Sequence, residues 1–387
     1  MKYIVLVPDG CADEPLAELG DRTPLEVAAM PALAALAGRA EVGRAAVIPP
    51  GLPPGSDVGN MAILGYDPSE HHTGRAPIEA AAMGVELAPG EVAFRCNLVT
   101  LDDGDPPTMV DFAAGHPTRE QAAPIVAALD AALGGGRDGA RFHAGVEYRH
   151  LCVLPAELGD ADCVPPHDLS GQPAVFPTGP ASSRLRALMD ASRPVVAEAG
   201  AASGCWATQI WLWGQGTRPA LPRFADRYGV EGRLTSAVDL VRGLGVLTGI
   251  EVLDVPGATP GFDNDYQAQA RACLDSLVDR DLFLLHVEAT DEAGHAGDVA
   301  EKVTALERWD ADIIAPLVAA LADEPHRVLL LPDHATPCAR KTHTSDPVPY
   351  LLFDSEHPGP GGTYTEAGVA DAPVVPAHEL MARLVGP

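Results

Sequence analysis

The sequence predicts an α/β protein: a mainly parallel sheet between helix layers, carrying a smaller inserted α+β domain. Three observations lead there. The apolar runs Tyr3–Val7, Leu282–Val287 and Val328–Leu331 are rich in β-formers, too short for helices and closed by polar clusters, as strands buried on both faces are. Helical periodicity alternates with them, which implies parallel strands covered on both sides. The length of 387 residues exceeds the ~100–200 typical of one domain, and the middle of the chain changes character.

Taken in order, Tyr3–Val7 opens the core and Glu26–Leu36 follows as a helix. From about Gly90 the chain breaks into short runs, Val92–Leu101, Thr108–Phe112 and Arg149–Leu154. Between and after them lie the turn GGGRDG at 134–139 and the Pro- and Gly-rich stretch Val164–Pro180. Helical patterns resume at Tyr266–Val278, Ala300–Leu321 and Ala377–Leu384. Because one long buried strand precedes the middle region and two follow it, the core is discontinuous. It is expected at 1–90 and 232–387, with a lid-like insert at 91–231 covering a cleft.

Composition removes several classes of function. The apolar fraction of 47% suits a globular chain with a substantial core. The charge balance, 26 − 54 = −28, repels nucleic acid and anionic membrane surfaces. No apolar run approaches the ~20 residues of a membrane span, and MKYIVLVPDG reads as a strand instead of a signal peptide. A soluble cytoplasmic protein is expected, with neither nucleic acid nor membrane as partner. Seven scattered cysteines without a CxxC pair indicate neither a disulfide framework nor a thiolate zinc site.

Ligands of an open parallel sheet gather beyond the carboxyl ends of its strands. All three buried runs end there in metal-capable groups. Asp9 follows the first; Asp291 and His295, spaced i, i+4, follow the second; Asp333 and His334 follow the third, with His343 nine residues on. Carboxylate with imidazole suits Zn or Mn more than Ca. Six such groups exceed the needs of one tetrahedral ion, whereas two ions about 3.5–4 Å apart would use them. Ser56 in PPGSDVGN is the nucleophile candidate, a hydroxyl in a Gly/Pro loop that a cation would activate. Each element alone has a plainer reading: Asp9-Gly10 as a turn, Asp291 and His295 as a surface pair, Asp333-His334 as a strand cap. Their joint occurrence at three strand ends favours the metal reading.

HVEATDEAGHAGD at 286–298, DHATPCARKTHTSDPVP at 333–349, VPDG at 7–10 and PPGSDVGNMAILGYDP at 53–68 resemble the archaeal-type, cofactor-independent phosphoglycerate mutases of the alkaline phosphatase superfamily. TGRAPIEAA at 73–81, FRCNLVTLDDG at 94–104, EYRHLCV at 147–153, SAVDLVRGLG at 236–245 and VPGAT at 255–259 extend the resemblance over nearly the whole chain. It implies an alkaline-phosphatase-like core and two divalent ions, Mn, Zn, Mg or Co, with no 2,3-bisphosphoglycerate. Asp291, His295 and His343 would bind one ion, and Asp9, Ser56, Asp333 and His334 the other. Ser56 would be phosphorylated transiently while a small phosphorylated hydroxy-acid is converted from 3- to 2-phosphoglycerate. Arg75, Arg95, His116, Arg149, His150 and Lys341 lie in the motif-like stretches as substrate-binding candidates, since guanidinium forks suit phosphate and carboxylate. Oligomeric state is not readable from the chain.

Two stretches depart from the family pattern. IWLWGQGTRP at 210–219 stands where an Arg-Gly segment is expected, so a gripping arginine is missing there, and Trp211 and Trp213 either floor the pocket or pack internally. The sequence also looks closer to a bacterial branch proposed as alternative homoserine kinases, although Gln269 stands where that branch usually has lysine. Phosphoryl transfer to homoserine or a similar hydroxy-amino acid is thus the alternative activity. A non-catalytic metal-binding regulatory protein is a third.

Overall fold

The computed structural model describes residues 1–135 and 139–386, so half of the GGGRDG turn lies outside the described residues. The chain forms two compact units, residues 1–72 with 220–387, and residues 73–219. These boundaries differ from the expected 90/91 and 231/232. The helix Ala76–Ala82 puts Ala76 and Ala80 against Ala93, Leu151 and Val153 of the second unit's sheet, and Tyr66 Oη donates to the Pro222 carbonyl within the first.

The first unit is built on an eight-stranded sheet. Its order is Val374–Pro376, Glu41–Ala46, Val348–Asp354, His326–Leu330, Lys2–Pro8, Leu282–Val287, Gly232–Thr235 and Glu251–Val252. The pairs are parallel except where Val348–Asp354 runs antiparallel to both neighbours. The three apolar runs of the sequence are the adjacent central strands, and Leu282–Val287 is buried at every position. Burial on both faces explains why they read as continuous apolar runs without alternation.

The helices agree in place and differ in detail. The expected Glu26–Leu36 is two short helices, Pro24–Val27 and Pro31–Ala37. Pro31 has no N–H to continue the first helix and its fixed φ suits the start of a second. The expected Ala300–Leu321 runs as Val299–Trp309, a π turn at Asp310–Ile314, and Ala315–Ala320, where Pro316 removes one donor from the ladder. Asp310 points back to the start of Pro31–Ala37, accepting from the N–H groups of Ala32 and Leu33 at 3.1 and 2.6 Å.

The second unit holds a five-stranded antiparallel sheet. Glu91–Leu101 pairs with Arg149–Pro155 on one side and Gln209–Gly216 on the other, so the IWLWGQG stretch is a strand. Helices Arg119–Leu133 and Ser182–Ser203 cover the face made by Phe94, Cys96, Leu98, Cys152 and Leu154. Among the described residues no helix is long and apolar enough to cross a membrane.

One close approach holds the candidate nucleophile's helix in place. In Ser56–Ile63, Gly59 lies so near the strand end at 333 that a Cβ would sit 1.9 Å from the Asp333 carbonyl oxygen. Gly59→Ala should therefore destabilise the protein by about 1–3 kcal/mol through overpacking. Gly38→Ala, whose Cβ would meet nothing nearer than 3.5 Å at an ordinary φ, should leave urea unfolding unchanged or shift it slightly upward. Equal midpoints for the two variants would contradict the close-packing argument.

Candidate metal centre

Parallel pairing brings the three strand ends together, and with them residues as distant in the chain as Asp9 and His334. Asp9 follows Lys2–Pro8, Glu288 and Asp291 follow Leu282–Val287, and Asp333 and His334 follow His326–Leu330. Asp9, Asp333 and His334 are fully buried, and Asp291 is buried. Ligand atoms of Asp9, Asp333 and His334 all lie within 4.8 Å of one another, and so do those of Asp291, His295 and His343. A third such group, Asp9, Glu288 and Asp291, links the two. Gly10, at φ 61, makes room for them: its Cβ would fall 2.6 Å from Asp291 Oδ1.

Ser56 opens the helix Ser56–Ile63 and its Oγ lies 3.2 Å from His334 Nε2. The same nitrogen is 3.4 Å from Asp9 Oδ1 and 3.7 Å from Asp333 Oδ2. Four residues along the helix, Asn60 donates from Nδ2 to Asp333 Oδ2 at 2.6 Å and to the Ser56 carbonyl at 3.0 Å. The seryl hydroxyl is thereby held at the positive end of a helix and inside a ring of acceptors.

In the other triad, Asp291 and His295 share a face of the helix Ala289–Ala296, with Asp291 Oδ2 3.3 Å from His295 Nε2. His343 Nε2 is 3.4 Å from Asp291 Oδ1 and 2.9 Å from His295 Nε2. Carbonyls of Lys341 and Pro54 face Nδ1 of His295 and His343 at 3.1 and 3.4 Å, and a carbonyl only accepts. When both rings are neutral they therefore donate from Nδ1, and two Nε2 lone pairs converge beside a carboxylate.

This arrangement fits a cation. Converging lone pairs repel unless a positive charge lies between them. Both oxygens of the fully buried Asp9 lack a hydrogen-bond partner, and His286 Nε2 approaches Oδ2 to 3.2 Å without aligning. Among the described residues no Lys or Arg pairs with Asp9, Asp291 or Asp333, whose ion-pair neighbours are histidines. Buried charges are paired or coordinate metals. The donor set, carboxylate with imidazole, is that of Zn or Mn sites.

The protonation pattern shows the same shortage of positive charge. Burial, then the neighbouring Asp333 and Asp291 carboxylates, push Asp9 well above the usual carboxylate range. Burial also opposes ionisation of Asp333, but the His334 and His286 imidazoles outweigh it and hold it low. The hydrogen bond that His295 Nε2 gives Asp291 raises His295 to about 9 against the effect of burial.

The remaining candidates separate. In the second unit Glu79 bridges Arg75 at 3.3 Å and Arg95 at 2.9 Å, and the Arg95 guanidinium lies 4.5 Å over the Trp213 ring. Arg149 is opposite Asn97 on the same sheet face, 5.6 Å over Tyr148. Burial lowers Arg95 to about 10; Glu79 opposes this, and the charges of Arg75 and Arg149 add to it. Trp213 Nε1 bonds Asn97 Oδ1 at 3.1 Å, whereas Trp211 Nε1 bonds the Val164 carbonyl and packs on Phe176.

His150 does not join the arginines. It alternates to the opposite, helix-covered face, where its Nδ1 accepts from Gly145 N–H and burial lowers it to about 4, so it is a neutral interior residue. His116 is exposed, 3.3 Å from Glu147. Lys341 gives its ammonium to the Ala296 carbonyl at the end of the helix Ala289–Ala296, and its own carbonyl orients His295. Gln269 is a buried strut, bonding the His286 carbonyl and Asn264.

Sequence reasoning missed His286, Asn60, Glu288 and Thr336. His286 had one legible signal, a single imidazole inside the apolar run LFLLHV. Asn60 stands i+4 from Ser56 and so on the same helix face, once the helix is known.

A sequence model described as 2,3-bisphosphoglycerate-independent phosphoglycerate mutase matches residues 37–200. The chain is similar to a protein of that name from Methanosarcina acetivorans, 42% identical over 400 aligned positions covering 100% of both chains. The chain belongs to this family. A protein of the same name from Methanothrix thermoacetophila is 46% identical, over 92% of this chain and 91% of its own. A solved structure from Pyrococcus horikoshii, 26% identical, superposes with a TM-score of 0.80 over 99% of this chain and 97% of that one. Family membership thus spans both units.

The sign of the pH dependence of the metal-free protein follows from His295. Its folded pKa, about 9, exceeds the ~6.5 of an unperturbed histidine. The folded state therefore holds this proton more tightly, and the stabilisation is fully present below ~6.5 and lost as pH rises through about 9. Asp9, also raised, contributes with the same sign over its own range. Calorimetry of chelator-treated protein should show Tm falling between pH 6.5 and 9, and a rising profile over that window would contradict the assignment.

Proposed function

We propose that this chain interconverts 3- and 2-phosphoglycerate by passing the phosphoryl group through Ser56, at a site holding two divalent cations. Family membership supports the reaction, and the observation that supports the route is Ser56 Oγ set 3.2 Å from His334 Nε2 between two ligand triads. Asp291, His295 and His343 would hold one ion; Asp9, Asp333, His334 and the Ser56 hydroxyl the other. When bound, the ions supply positive charge for the phosphoryl oxygens and favour ionisation of the hydroxyl.

The chain's own residues do the rest. Asn60 holds the Ser56 carbonyl at the start of the helix, and His334 Nε2 faces Ser56 Oγ. As Oγ bonds to phosphorus, the bond to the glycerate oxygen breaks and that oxygen takes the proton the serine gave up. The reverse displacement, by the other hydroxyl of the same glycerate, restores the free serine. Arg75, Arg95 and Arg149 would grip the anionic groups, with Glu79 shared between Arg75 and Arg95 and Trp213 backing Arg95. The Thr73–Pro219 unit would then act as the substrate domain. Exclusion of water keeps a phosphoserine from hydrolysing.

Phosphorus NMR of metal-loaded protein with 3-phosphoglycerate and no nucleotide should show the signal of 2-phosphoglycerate appearing. Ser56→Ala should slow this by roughly 10⁴-fold or more while metal binding persists in large part. Chelation should abolish turnover and lower Tm. Phosphate appearing on homoserine with ATP, and none moving between glycerate hydroxyls, would replace the mutase reading by the kinase one.

A further inference from the structure

Between the two ligand triads sits a residue that belongs to neither. Thr336 is fully buried, two positions beyond His334. Its Oγ1 lies 2.5 Å from Asp291 Oδ1 and 3.1 Å from His334 Nδ1, so one hydroxyl touches a carboxylate of one triad and an imidazole of the other. Its backbone is clamped as well. The N–H reaches the Gly10 and Ala12 carbonyls, each at 3.3 Å. The carbonyl accepts from the ammonium of Lys302 at 2.9 Å. Lys302 is itself fully buried, and its other bonds go to the Ala12 carbonyl and Asp13 Oδ2, at 3.3 and 2.8 Å. Thr336 thus cannot drift without disturbing the loop that carries Asp9.

The hydrogens can be assigned by counting. A hydroxyl donates one hydrogen and accepts through its lone pairs, whereas a carboxylate accepts only. The threonine hydrogen therefore goes to Asp291 Oδ1. Contact with His334 is then a hydrogen bond only if Nδ1 of the ring carries the hydrogen. In the neutral ring this leaves the lone pair on Nε2, the nitrogen that faces Ser56 Oγ and Asp9 Oδ1.

We propose that Thr336 is a positioning residue that fixes His334 in the Nδ1–H tautomer and ties its orientation to Asp291. The lone pair of Nε2 is thereby aimed at the Asp9, Asp333 and Ser56 group. Outer partners of metal-binding imidazoles fix tautomer and ring orientation in this way, and losing them typically costs ~10–100-fold in affinity. The purpose of the arrangement rests on the two-cation reading above; the tautomer does not.

Two measurements test it separately. Long-range proton–nitrogen NMR of metal-free, ring-labelled protein should show His334 with hydrogen on Nδ1. Thr336→Val, close in shape, should lose that preference, and Thr336→Ser should keep it. Calorimetric titration with Mn²⁺ should show the ion of the Asp9, Asp333 and His334 group bound about 10–100-fold more weakly in Thr336→Val, and as in wild type in Thr336→Ser. Hydrogen found on Nε2 in the wild type would overturn the proposal without recourse to any variant. An unchanged isotherm in Thr336→Val, or a Thr336→Ser isotherm as weak as that of Thr336→Val, would also overturn it, the latter assigning the effect to the γ-methyl. Failure of wild type to bind Mn²⁺ would refute the cation reading, leaving the spectra to decide the tautomer.

Discussion

Three carboxylates, Asp9, Asp291 and Asp333, are buried at the ends of three adjacent parallel strands with histidines as their nearest basic neighbours. Gathering that much negative charge away from water is costly unless positive charge comes with it. Much of the surrounding structure serves this constraint. Glycines at 10 and 59 let backbone and carboxylate approach closely, Thr336 spans the triads, and Asn60 turns its amide on Asp333. Among the described residues no lysine or arginine pairs with these three carboxylates.

Each unit has its own electrostatic character. The first concentrates acid and imidazole. The second presents arginines on one sheet face, with Glu79 as the bridge between Arg75 and Arg95 and an indole beneath Arg95. A buried guanidinium that shares its carboxylate with a second arginine is not fully neutralised. Trp213 therefore acts through Arg95, while Trp211, two residues earlier, fills the interior.

Legibility in the sequence depended on the kind of evidence each element offered. Leu282–Val287 was readable because burial on both faces leaves a continuous apolar run. Val348–Asp354 and Glu41–Ala46 were not, because the first holds Pro349 and Asp354 and the second mixes charged residues and glycine with apolar ones. The helix break at Ala28–Met30 was signalled by Pro31 but hidden by apolar spacing that continues across it. His150 and Lys341 looked like cations by residue type alone. Strand alternation turned the first inward, and a helix C-terminus claimed the ammonium of the second.

Residue chemistry and local spacing were enough to name an α/β core, a set of ligand-type side chains after its strands, and a serine near them. Those properties are local, since strand burial and helical phase leave a period in the chain itself. Which side chains meet was settled by parallel pairing in the fold, which places residues 9, 291 and 333 side by side. The hydrogen positions on His295 and His343 were settled by the fold too, because the carbonyls of Lys341 and Pro54 lie 46 and 289 positions away and no local pattern encodes them.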